Sequence, residues 1–222
     1  MTASEAQRGL VFFLLYLFVF PRLNAWIQRL IIGDGEGEVL VAEANVIYYG
    51  FLFILALFIF WSFLKEDFID LMDWLPENLF GLGAGLLFTL ALRLLLGLLP
   101  LPVSDPISFQ YASEFRGAPA PTLVLVLLLI PLVEEVLFRG FLFGQLRGYS
   151  RPLAFVVSIL FYAVAMVWRY ALDFSDPRYL LLSILYLPLS AGLTWCYDNG
   201  GSIWSCVALH AGFNGFLLFI AL

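Results

Sequence analysis

Residues 131–147 read PLVEEVLFRGFLFGQLR, and the adjacent glutamates Glu134 and Glu135 decide how the chain is understood. They follow the apolar run TLVLVLLLI at 122–130, so they fall inside a segment of membrane length. A carboxylate at the centre of such a helix costs roughly 2.5–3.5 kcal/mol on insertion scales. Two in succession point to side chains that face a cavity and take part in function. Arg139 lies four residues after Glu135, the spacing and order of a helical ion pair. Glu134 is turned about 100° round the helix and has no cation at that spacing, so one carboxylate reads as tethered and the other as free.

The rest of the composition agrees. Of 222 residues, 63% are hydrophobic and 13% charged, and the mean hydropathy is +0.97. Soluble domains average about 45–50% apolar and about 25% charged. The expected fold is an all-α integral membrane protein, a bundle of about seven transmembrane helices with a short interfacial helix, in contact with the lipid bilayer. The net charge is −6 and no basic stripe runs along the chain, which excludes nucleic acid as a partner. Cys196 and Cys206 are too few for a disulfide framework. Arg8 ahead of an apolar run resembles the start of a signal peptide, but no small-residue cleavage site follows, so the segment reads as a retained first span.

Spans are expected over 9–32 with a bend at Pro21, and over 45–64, 79–99, 122–146, 153–172, 179–197 and 202–222. Arg22, Trp26 and Arg29 suit the headgroup level, and GDGEGE at 33–38 reads as an acidic loop. KEDFIDLMDWLPENL at 65–79 reads as the interfacial helix, with Phe68, Leu71, Met72 and Leu75 on one face. Gly81, Gly83 and Gly85 suit close helix packing. Arg93 reads as a snorkelling or structurally paired residue. The proline-bearing stretch 100–121 reads as a loop that could serve as a lid. For orientation, Arg139, Arg147 and Arg151 favour a cytoplasmic loop after the fourth span and an N-terminus inside. Arg22, Arg29, Arg169 and Arg178 favour the reverse.

His210, the chain's single histidine, lies in ALHAGFNGF, four residues before Asn214 and on the same helical face. Ionisable groups within spans are functional by default. A free glutamate can act as general base on water, and a histidine with an amide can donate to a developing oxyanion. Peptide hydrolysis fits this set, with Glu134 activating water and His210 and Asn214 stabilising the tetrahedral intermediate. A proton relay in a proton-coupled transporter fits it as well. Catalytic zinc wants three protein ligands, and only His210 and the two glutamates are on offer; no cofactor is expected.

At these residues the chain resembles the CPBP family, also called the Abi or CAAX-protease-like family of intramembrane endopeptidases. The motif EExxxR is matched by Glu134, Glu135 and Arg139, and HxxxN by His210 and Asn214. The segment AGLTWCYDNGGSIWSCVALHAGFN is similar to the family's glycine turn and final helix. The family's FxxxH is matched at Phe161, but its histidine position holds Ala165. The resemblance covers residues 119 to 222 within a single transmembrane domain, 1–222, whose N-terminal spans and loop occupy residues 1–118.

What the resemblance implies is an intramembrane endopeptidase, in a bacterial plasma membrane, acting on a peptide or membrane-protein substrate. Glu134 would be the base, Glu135 its neighbour held by Arg139, and His210 with Asn214 the oxyanion donors. Phe138, Phe161, Tyr162 and Trp168 would face the substrate, with Tyr162 or Trp168 donating where the histidine is missing. That gap equally fits a catalytically impaired member serving as a binding, scaffold or bacteriocin self-immunity protein.

Overall fold

A computed structural model describes residues 1–32 and 41–222. The acidic run 33–38 expected in a loop lies outside the described residues, as do the side chains of 29–32. The described chain is helical, with no strand among the described residues. Six helices are long and apolar enough to cross a membrane, and a bent pair makes a seventh. The all-α transmembrane bundle expected from composition is therefore present.

Helix α1 (Ala3–Phe18) starts with a capping box, in which Thr2 and Glu5 each accept from the other's backbone N–H, leaving fewer unpaired donors at its first turn. A 45° bend separates it from α2 (Phe20–Ile32). Pro21 stands in the first turn of α2, where its missing N–H costs nothing; the bend falls just ahead of it. After α3 (Val41–Ile59) comes α4 (Trp61–Asp73), at 13 residues too short to be a span. It takes up much of the stretch expected to form the interfacial helix, with shifted limits. Pro76 opens α5 (Leu75–Leu96), so residues 75–79 belong to the following span. Phe68 and Met72 of α4 are exposed, whereas Asp67 is buried.

The stretch 100–121 is irregular only as far as Asp105 and helical over most of the rest. Asp105 caps α6 (Pro106–Gly117), accepting from the Ile107 N–H, and Pro119 begins the next helix. The prolines misled because Pro at the first helical position starts a helix as readily as it ends one. Arg93 reaches Asp105 at 3.8 Å, the structural pairing expected of it.

Helix α7 (Pro119–Arg147) carries the two glutamates. It is the most enclosed span, 72% buried over its apolar window against 17–56% for the others. α8 (Arg151–Asp173), α9 (Pro177–Gly200, its first turn a 3₁₀ helix) and α10 (Ile203–Ala221) pack around it. Gly201, at φ +81°, turns α9 into α10, a left-handed conformation that glycine adopts without steric cost. Asp198 at this turn takes both Arg147 and Arg151.

Helices α5 and α9 approach closely through Gly85 and Gly192. A Cβ added at Gly192 would stand 2.0 Å from the Thr89 hydroxyl, and one at Gly85 2.7 Å from Leu209. Gly81 faces Cys196, but Gly83 faces open space, so the glycine run packs on one side only. Gly192→Leu is expected to lower the melting temperature in detergent, whereas Gly83→Leu leaves it nearly unchanged.

Asp67 anchors the start of α10 by accepting from the Ile203 N–H and the Ser202 hydroxyl. Burial pushes its carboxyl up to about 6, against the lowering effect of those donors. A raised acid contributes stability that is complete below its ordinary value of 3.8 and is lost as pH rises through 6. Thermal unfolding between pH 4 and 7 is expected to show that loss in the parent protein. Asp67→Asn, which keeps an acceptor without the charge, removes this pH dependence.

Candidate active site

The helix bearing the glutamates is irregular at the site. Turns over Leu125–Leu129 and Val136–Phe143 are wide, of the π type, on either side of regular turns at Ile130–Glu135. Such widened turns recur at functional sites. Their sequence cause is visible at the first. The Ile130 N–H bonds to the Leu125 carbonyl, five residues back. The next donor in that pattern would be residue 131, a proline without an N–H. The Val126 carbonyl thus lacks a backbone donor, and Asn214 Nδ2 supplies one at 2.9 Å.

Glu135 is tethered as the spacing suggests. Arg139 Nη1 lies 3.3 Å from its Oε1, while Arg139 Nη2 donates to the carbonyl and hydroxyl of Ser190 on α9 at 3.2 and 3.1 Å. The guanidinium also sits 4.3 Å above the Tyr162 ring, a cation–π arrangement. Both charged groups are fully buried. Arg139 is therefore no loop charge, and it drops out of the orientation count made from the sequence.

His210 does not face Glu134 for bonding. Its Nδ1 lies 2.7 Å from Glu135 Oε1, so Glu135 binds both Arg139 and His210. Glu134, expected to be free, accepts from two tyrosines on other helices. Tyr162 Oη donates to Oε2 at 2.8 Å and Tyr16 Oη to Oε1 at 3.2 Å. Tyr162 was among the expected donors; Tyr16, on the first helix, was not, because no local spacing connects residues 118 apart.

A cavity of about 340 Å³ reaches this cluster. Glu134, Tyr162, Ala165, Trp168, His210 and Asn214 all line it. The space beside Ala165 therefore belongs to the cavity. Trp168 also packs edge-on against Phe18. Phe138 and Phe161 stand outside the lining. Phe138 is fully buried behind Tyr162, with ring centres 4.9 Å apart, and Phe161 is half-exposed on the outer side beside Phe13. α6, read from sequence as a loop, contributes Ile107, Ser108, Gln110 and Tyr111 to the wall.

Among the described residues, no three His, Cys, Asp or Glu side chains group to hold a metal ion. Glu135 Oε1 is already shared between a guanidinium and an imidazole, and Ala165 offers no donor atom. This donor set does not fit a three-ligand zinc site.

Residues 116–216, from the end of α6 through most of α10, match the family described as type II CAAX prenyl endopeptidase Rce1-like. The chain is also 30% identical to UPF0177 protein YxdF of Lactococcus lactis over 152 residues, 66% of this chain and 78% of that one. The chain belongs to the Rce1-like CAAX endopeptidase family. No solved structure matches it. As an Rce1-like protein it is an integral membrane protein of a protease family. The matched region contains Glu134, Glu135, Arg139, His210 and Asn214, but not Tyr16.

Removing one partner of a buried ion pair costs about 3–5 kcal/mol, because the other charge is left uncompensated. Arg139→Met is expected to destabilise the protein on that scale in detergent melts. Arg139→Lys should fall between, since a single ammonium cannot span Glu135 and Ser190 as a guanidinium fork does.

Proposed function

We propose that the protein is an intramembrane endopeptidase that hydrolyses a peptide or membrane-protein substrate, acting in a bacterial plasma membrane. The observation that carries this reading is the common cavity: Glu134, His210 and Asn214 line one space, open beside Ala165. A substrate carbonyl and a water can meet there.

Glu134 is the general base. Tyr16 and Tyr162 hold its two oxygens from the sides, orienting the carboxylate while leaving lone pairs for a water. As the water oxygen bonds to the substrate carbonyl carbon, its proton passes to Glu134. The carbonyl oxygen becomes an oxyanion. When the carbon–nitrogen bond breaks, Glu134 returns the proton to the departing amine. His210 Nδ1 is engaged by Glu135, which leaves Nε2 as the ring nitrogen available to the oxyanion, donating there when it carries a hydrogen. Asn214 spends one Nδ2 hydrogen on Val126 and has a second for the oxyanion. Arg139 acts through Glu135 and is a positioning residue.

General-base catalysis contributes about 10²–10⁴-fold and an oxyanion donor about 10²–10³-fold. With purified protein and a hydrophobic peptide library read by mass spectrometry, Glu134→Gln is expected to abolish cleavage. Asn214→Ala should lower kcat on the oxyanion scale, and Tyr162→Phe should lower it less than Glu134→Gln. Absence of cleavage by the parent protein, with Glu134→Gln indistinguishable from it in cells, would overturn the proposal.

A second reading has its own support. Ala165 stands where the family motif has histidine, and both Glu134 oxygens already accept tyrosine hydroxyls. A non-proteolytic relative that binds a partner or confers self-immunity would keep its cellular phenotype in Glu134→Gln. Loss of that phenotype on this isosteric change would count against it.

A further inference from the structure

The cavity that reaches Glu134 also has a wall of side-chain amides. Gln28 on α2, Asn45 on α3 and Gln110 on α6 all line it, and hydrogen bonds join them into one ladder. Gln28 Nε2 donates to Asn45 Oδ1 at 3.0 Å, and Asn45 Nδ2 donates to Glu114 Oε1 at 2.9 Å. Gln110 Nε2 donates to the same Glu114 oxygen at 2.7 Å. Glu114 is itself buried and takes no part in the lining. Asn45 precedes Tyr49, another residue of the lining, by one helical turn, about 5.4 Å along α3.

Glu114 gives the ladder its direction. An amide can turn either its carbonyl or its nitrogen towards a neighbour, but the Glu114 oxygen accepts. Asn45 and Gln110 therefore both point nitrogen at it. The Asn45 carbonyl is then turned to Gln28, which has to offer nitrogen in its turn. What remains is defined. Among the described residues the carbonyl oxygens of Gln28 and Gln110 receive no hydrogen bond, and each amide nitrogen keeps one further hydrogen. The wall offers acceptors and donors side by side, from neutral groups.

We infer that Gln28, Asn45 and Gln110 bind the main chain of an extended peptide, with Glu114 as the positioning residue that sets which way their amides face. This rests on the reading that a peptide enters the cavity to reach Glu134. A segment drawn into a membrane-embedded cavity brings one N–H and one C=O per residue, each costly if left unpaired. An extended chain cannot pair these groups within itself and presents them along its edges, where a wall holding both kinds of partner meets them. Pairing of this kind is blind to side chains, so the subsite takes many sequences and selects for an extended backbone. A hydrocarbon tail uses none of these groups and would bury them unpaired.

The test is binding to the full-length protein in detergent, read by fluorescence anisotropy in Glu134→Gln so that the peptide is not consumed. The probes are two unrelated apolar nonapeptides, each also made with a single N-methyl group at successive positions, which removes one main-chain donor at a time. Both unmodified peptides are expected to bind, and methylation at two or three positions is expected to weaken each about tenfold. Gln28→Leu combined with Gln110→Leu should erase that difference by weakening the unmodified peptide to the level of the methylated ones. Glu114→Leu should do the same, whereas Glu114→Gln, whose amide oxygen can still accept from both neighbours, should retain it. If Glu114→Leu does not fold, the two cavity-lining glutamines decide alone. Failure of both peptides to bind, equal affinity across the methylated series, or a methylation effect that survives loss of both glutamines would overturn the inference. Hydrolysis by the parent protein without a methylation effect on binding would remove only this inference. A methylation effect without any hydrolysis by the parent protein would leave the amide wall as a peptide-binding site and remove the proteolytic reading instead.

Discussion

Everything in the bundle accommodates one constraint: two adjacent carboxylates must be held inside a membrane-length helix without being left unpaired. Glu135 meets it with charge. Its Oε1 receives the Arg139 guanidinium and the His210 imidazole, in a place where neither Glu135 nor Arg139 touches solvent. Glu134 meets it with neutral donors, two tyrosine hydroxyls from α1 and α8. The difference matters chemically. A carboxylate bound to cations is fixed, whereas one cradled by hydroxyls and bordering a cavity can still take up a proton. The surrounding spans enclose this pair: α9 supplies Ser190 to Arg139, α10 supplies His210, and α8 places the Tyr162 ring under the guanidinium.

The widened turns of α7 belong to the same solution. Pro131 lies three residues before Glu134 and removes a donor from the helix. Asn214, one turn beyond His210, replaces that donor at Val126. The last helix is thus tied to the glutamate helix at two levels, through His210 to Glu135 and through Asn214 to Val126. The HxxxN spacing therefore has a structural use on this chain besides any catalytic one.

Local spacing accounts for what was legible in the sequence. The Glu135–Arg139 pair is an i,i+4 relation, and the spans follow from hydropathy, so both could be read without coordinates. The partner of His210 could not be read, because its spacing to Asn214 defines a face but not which of two neighbouring glutamates that face meets. Tyr16 was invisible for a related reason: it is one tyrosine on a distant helix, with no motif around it. The stretch 100–121 failed differently. Its prolines read as helix breakers, although Pro106 follows the cap Asp105 and Pro119 opens a span. As a result, a cavity wall was read as a loop. Phe138 and Phe161 lie close to the motifs in sequence, yet the helices turn Phe138 into the packing behind Tyr162 and Phe161 to the half-exposed outer side.

The central claim is that water reaches Glu134 and becomes part of the product. Cleavage of a peptide in water enriched in oxygen-18, followed by mass spectrometry of the fragments, tests it most directly. The account expects one heavy oxygen in the new C-terminal carboxyl from the parent protein, and intact peptide from Glu134→Gln. Labelled product from both proteins, or intact peptide from both, would contradict it.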